Sequence, residues 1–184
     1  MISYATNPFV DSDPMHALWE TLTSRASVPL VPTGIFDPAV NTALHDAANS
    51  AGASSSYNVR AAMFLLNDDL DSAHQLVQPH EDDATANYWH QLVHRREGDW
   101  SNARYWVGRT GQHPFYAELP ALAADLSQPA LTAELTAGSS WHADRMVALS
   151  QQASQRGSDQ MADLQILLHR EMLGLLAWCI ANGR

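Results

Sequence analysis

Apolar residues recur at helical spacing through most of the chain, and the strict alternation of a half-buried strand is scarce. Pro14, at a permitted first-turn position, opens a short helix over Met15-His-Ala-Leu-Trp-Glu-Thr-Leu22. The prolines of Val28-Pro-Leu-Val-Pro32 remove backbone donors and make a rigid extended linker. A second helix starts at Asp37-Pro-Ala-Val40 and runs to about residue 49, and Ala51-Gly-Ala-Ser-Ser-Ser56 is a loop by composition. Nearer the C-terminus, Ser127-Gln-Pro-Ala130 and Ala137-Gly-Ser-Ser140 bound a short helix around Leu131. Residues 141–155 form another helix. Ser158 caps the last, from 159 to about 181, which is apolar on most of its circumference and therefore expected at the centre of the fold.

The middle of the chain repeats itself. Asp69-Leu-Asp-Ser-Ala-His-Gln-Leu-Val77 matches Asp99-Trp-Ser-Asn-Ala-Arg-Tyr-Trp-Val107, thirty residues on. In each unit an aspartate stands where it can accept from helix amides that lack partners. Leu70, Ala73, Leu76 and Val77 define one face, as do Trp100, Ala103, Trp106 and Val107, and the small alanine permits close approach of a neighbouring helix. Helix, tight turn and capped helix is the logic of tetratricopeptide hairpins, here in two degenerate units. The expected fold is all-α: one domain of antiparallel helices built around this hairpin pair. Residues 1–57 supply N-terminal helices and linkers, 58–116 the hairpins, and 117–184 the C-terminal helices.

Charge narrows the partners. The net charge is -10, and all ten basic residues are arginine. A negative body repels phosphate backbones, so nucleic acid is not expected as a partner. The single cysteine, Cys179, sits in an apolar run and reads as a small buried hydrophobe, with no internal disulfide to form. The first ten residues lack the pattern of a secretory signal, and no apolar run reads as long enough to span a bilayer. A cytoplasmic protein without membrane contact is the simplest expectation.

Candidate chemistry concentrates between Ala86 and Tyr116, where three histidines, three tryptophans and Arg95, Arg96, Arg104 and Arg109 gather. On a helix turning about 100° per residue, Trp89, Leu92, Val93 and Arg96 form an inward arc, with His90, His94 and Glu97 aligned at its edge. Residues four and then three apart are neighbours, so two imidazoles and a carboxylate can converge. Such a set suits a divalent transition metal, with Glu97 as ligand or orienting group. It suits acid-base catalysis equally well. His74, on the preceding helix, and His113, past the next, are candidate partners. Arg95, Arg96 and Trp89 are candidate substrate contacts, the arginines for an anionic group. The bland reading is hydrogen-bonded packing, with the arginines neutralised by Glu97, Asp99 and other carboxylates.

Known metal motifs do not apply. His90-Gln-Leu-Val-His94 lacks the glutamate of a zinc-protease helix, and His94-Arg-Arg-Glu97 runs opposite to the Glu-x-x-His of di-iron bundles. Phosphate loops, dinucleotide fingerprints and nucleophile elbows do not occur either. Within the repeat, His90 stands opposite Arg60, Val93 opposite Met63, His94 opposite Phe64 and Glu97 opposite Asn67. Only His94 replaces an apolar residue.

Tyr88-Trp89-His90, His94-Arg95-Arg96-Glu97 and Asp99 form a Tyr-Trp-His-x3-His-Arg-Arg-Glu-x-Asp core. It continues to Asn102, Tyr105-Trp106 and His113-Pro114. In this core the chain resembles a family of all-helical, tetratricopeptide-like proteins with no established activity. The resemblance extends to His74, Trp141 and the segment from Glu171 to Cys179, roughly the C-terminal two-thirds. It implies a place for a site and names no substrate. Two functions follow as expectations: a small-molecule binding or catalytic site around His90, His94 and Glu97, or a tetratricopeptide-like module gripping a peptide partner.

Overall fold

Both aspartates of the repeat cap helices in the computed structural model, which describes residues 6–47, 56–136 and 140–183. Asp69 accepts from the Ser72 amide at 3.0 Å and Asp99 from the Asn102 amide at 3.1 Å. Among the described residues there are ten α-helices, one 3-10 turn (Pro114–Ala117) and no strand. The helices are α1 (Met15–Thr23), α2 (Pro38–Ala47), α3 (Tyr57–Leu66), α4 (Leu70–Val77), α5 (Ala84–Glu97), α6 (Trp100–Thr110), α7 (Leu119–Leu122), α8 (Pro129–Leu135), α9 (Ala143–Arg156) and α10 (Met161–Ala181). The expected loop at 51–55, the extension of α2 to 49, the boundary at 137–139 and residues 1–5 of the N-terminal reading lie outside the described residues.

The α3–α4 and α5–α6 hairpins stack, with α4 packed on α5, while α10 lies along α3 and also contacts α7 and α9. Ala103 is fully buried with Trp100 and Val147, so the small residue of the second unit receives α9. α9 starts two residues later than expected, with His142 at its N-cap and Trp141 buried outside it. Ser158 accepts from the Gln160 amide at 3.1 Å, within the turn that precedes α10.

The two hairpin turns reach the same backbone shape by different means. Gly98 has φ 78° and Asp68, at the equivalent position, has φ 62°. Glycine takes this left-handed region freely, whereas an L side chain there costs about 1–2 kcal/mol. Asp68 is compensated by two ion pairs: Arg25 at 2.9 Å and the buried Arg96. Arg96 also donates to the Leu65 and Pro29 carbonyls, and so ties the extended linker, the end of α3 and its turn to α5.

α5 departs from the expected amphipathic wheel. Every residue from Thr85 to Arg96 is buried, so the helix is central rather than edged by a groove. α10 meets the sequence expectation of centrality, and it corrects the membrane reading. By length and composition it is able to cross a bilayer, with mean hydropathy 1.3, although most of it is buried against its own chain. It also carries buried Asp163, His169 and Glu171, the profile of a core helix whose polar groups find protein partners. Asp163, for example, accepts from the Ser127 and Gln128 amides at 3.2 and 2.8 Å, anchoring the start of α8.

Candidate metal centre

Three imidazoles converge where α4 meets α5. His74 comes from the last turn of α4, and His90 and His94 lie one turn apart on α5. One ring nitrogen from each lies within 4.8 Å of the others. His74 Nε2 and His90 Nε2 are 2.9 Å apart. His90 and His94 are buried, and His74 is half-buried.

Neighbours fix the rings. Trp106 of α6 stacks on His90 with 3.7 Å between centroids and 17° between planes. His94 Nδ1 lies 2.7 Å from Glu97 Oε2. A carboxylate only accepts, so His94 donates from Nδ1, which leaves Nε2 as the ring nitrogen that could ligate a metal. Carboxylate behind imidazole is the arrangement that orients metal-binding histidines. Burial, aided by the facing His74 and His94, lowers the pKa of His90 to about 3. His74 is also lowered, by burial and by His94, against the opposing pull of Glu97 and Asp71. Near neutral pH both are therefore unprotonated, the form in which imidazole ligates a metal. The second ring nitrogen of His90, Nδ1, is buried without a hydrogen-bond partner.

The other sequence candidates lie elsewhere. Glu97 stands behind His94, and the convergent set of three imidazoles does not include it. His113 is at the opposite end of α5: its Nε2 is 3.2 Å from Thr85 Oγ1, and its Nδ1 accepts from the Phe115 amide at 3.2 Å. It belongs with Tyr88 and Trp178, at 5.2 and 4.7 Å between ring centroids, and not with His90. That corrects its reading as a fourth metal partner.

Arg95, Arg96 and Trp89, read as substrate contacts, are 2%, 0% and 0% exposed, which corrects that reading too. Arg95 pairs with Glu171, which also accepts from the Tyr88 hydroxyl at 2.9 Å. Arg96 pairs with Asp68. Neutralisation by carboxylates was the right expectation, but the partners are Glu171 and Asp68 instead of Glu97 and Asp99. Sequence reasoning placed Trp106 in the core and missed its stack on His90, because a four-residue spacing cannot show which helix face meets the next helix. No family model, curated sequence or solved structure matches this chain.

Proposed function

We propose that His74, His90 and His94 bind one divalent transition metal and leave it an open position for water or a small polar ligand. The observation that carries this reading is the approach of three ring nitrogens, from two helices, to within 4.8 Å. Three imidazoles match the protein-ligand set of catalytic zinc sites, in which a fourth position stays exchangeable. A metal held there supplies Lewis acidity to what it binds. Glu97 holds the His94 ring and its tautomer, and Trp106 fixes His90. His74 is the ligand nearest solvent, so exchange occurs past its side.

The repeated turns with their aspartate caps support a tetratricopeptide-like origin for the two hairpins. A peptide-gripping module has less support, because α10 lies along α3 and is tied to α5 through Glu171. The hairpins therefore already hold a helix of their own chain.

Elemental analysis and zinc titration of tag-free protein test the proposal. One equivalent of zinc should bind, and His74→Ala should abolish stoichiometric binding while leaving the helical circular dichroism unchanged. Glu97→Gln should weaken affinity by about 10–100-fold. In the cobalt-loaded protein, added azide should alter the visible spectrum if one position is open. Folded wild-type protein that binds no stoichiometric metal would sink the reading, and a cobalt spectrum indifferent to azide would remove the open position.

A further inference from the structure

A cleft of about 290 Å³ opens where the extended linker before α2 meets the α3–α4 turn and the end of α5. Ile35, Asp68, Asp69, Leu70, Asp71 and Glu97 dominate its wall, and no arginine or histidine contributes to it. The cleft adjoins the imidazole cluster through both helices. Leu70 and Asp71 stand four and three residues before His74 on α4, one helical turn away and on the same face. On α5, Glu97 Oε2 lies 2.7 Å from His94 Nδ1. His90 and His94 are buried, which leaves half-buried His74 as the side from which an ion reaches the cluster.

The four carboxylates of the wall differ in how far their charge is already compensated. Asp68 is paired with Arg25 and Arg96. Asp69 accepts from the Ser72 amide and hydroxyl at 3.0 and 2.7 Å, with His45 Nε2 3.9 Å away. Glu97 meets His94 and keeps 32% of its side chain exposed. Asp71 is exposed and makes no ion pair among the described residues. Asp71 and Glu97 both exert a Coulombic pull at His74 that favours positive charge there. The approach to His74 is therefore electrostatically negative, and the net charge of -10 reinforces it.

A transition-metal ion enters an imidazole site from an outer position where it still carries its water. Its rate of binding then scales with its concentration at that position, which a charged cleft raises. Carboxylate oxygens suit the hydrated ion, whereas imidazole nitrogens suit the transition metal once water has left. Resting on the metal reading of the imidazole cluster, we infer that this cleft is the entry port of the divalent cation. Asp71 and Glu97 concentrate the hydrated ion there before His74, His90 and His94 take it.

Stopped-flow mixing of tag-free, metal-free protein with cobalt, followed by visible absorption, tests the port. The wild-type association rate should fall as ionic strength rises from about 0.01 to 0.1 M, where the screening length shrinks from about 30 to 10 Å. Asp71→Asn should slow association about fivefold at the lower salt, the scale of attraction between a divalent ion and one charge a helical turn away in water. It should still take up one equivalent of cobalt at saturation, and Asp71→Lys should be slower again. Asp82→Asn removes an equal, exposed charge from the loop at the opposite end of α5 and should leave the rate unchanged. Circular dichroism should be the same for all of these proteins. An Asp71→Asn rate equal to that of wild type would overturn the port and leave the metal centre standing, as would an equal slowing by Asp82→Asn. Folded wild-type protein that takes up no cobalt would remove both.

Discussion

Glu171→Gln should destabilise the folded protein by about 3–5 kcal/mol, the cost of leaving one member of a buried ion pair without its partner. Glu171 is 1% and Arg95 2% exposed at the side chain, so water cannot compensate the guanidinium once the carboxylate is gone. The Tyr88 hydroxyl loses a charged acceptor at the same time. Burial and the Glu171 charge hold the Tyr88 phenol protonated at any ordinary pH, so it remains a donor throughout. Denaturant unfolding would register the change as a fall in midpoint at constant slope. The triple variant Tyr88→Phe/Arg95→Met/Glu171→Leu should recover most of the loss, since apolar side chains of similar volume often replace a buried pair at little cost and no hydroxyl is then left without its acceptor. A single variant as stable as wild type would mean that Arg95 finds another partner or that water reaches it.

The second large effect is on acid stability. His169 lies buried in α10, and its pKa is lowered to about 4, first by burial and then by the Arg25 charge, against a hydrogen bond with the Ala26 backbone. Its ordinary value is about 6.5, so the unfolded chain binds the proton more readily than the folded one. The stability associated with neutral His169 is complete above about pH 6.5 and is lost as pH falls towards 4. Integrated over that interval, linkage gives roughly 3 kcal/mol. His169→Asn, which keeps a short amide group near Ala26, should flatten the curve of stability against pH between 7 and 4 while leaving its slope above pH 7 unchanged. Parallel curves for the two proteins across pH 4–7 would show that His169 is not buried neutral.

The local parts of this fold were legible and the distant ones were not. Aspartates before the second helix of each unit predict caps because the bond they make spans only three residues, and Asp69 and Asp99 make it. His94 neighbours both His90 and Glu97 for the same reason, since one helical turn separates it from each. His74 was legible as a candidate because it sits at the edge of an apolar face on the helix before. His113 occupies the same rank in the sequence and is far from the cluster, because the turn after α6 carries it to the opposite end of α5. The partners of Arg95 and Arg96 were beyond reach, because Glu171 and Asp68 arrive from α10 and from the first hairpin turn. Full burial of α5 was hidden as well. Its polar residues imply an exposed face unless one knows that Arg95, Arg96 and His90 meet Glu171, Asp68 and His74 from elsewhere in the fold.

Asp68 sets a limit on how independent the two hairpins can be. A glycine turn such as that at Gly98 closes without outside help, so the α5–α6 hairpin carries what it needs. The α3–α4 turn holds an aspartate in a costly backbone shape, and the charges that compensate it come from Arg25, after α1, and from Arg96, in the neighbouring unit. Modular solenoids gain stability repeat by repeat and can melt the same way. Here the first unit borrows its closure from the second and from the N-terminal segment. The pair therefore cannot be lengthened by copying its first half, and the chain should lose all its helices in one transition, with tryptophan fluorescence and circular dichroism tracing the same curve.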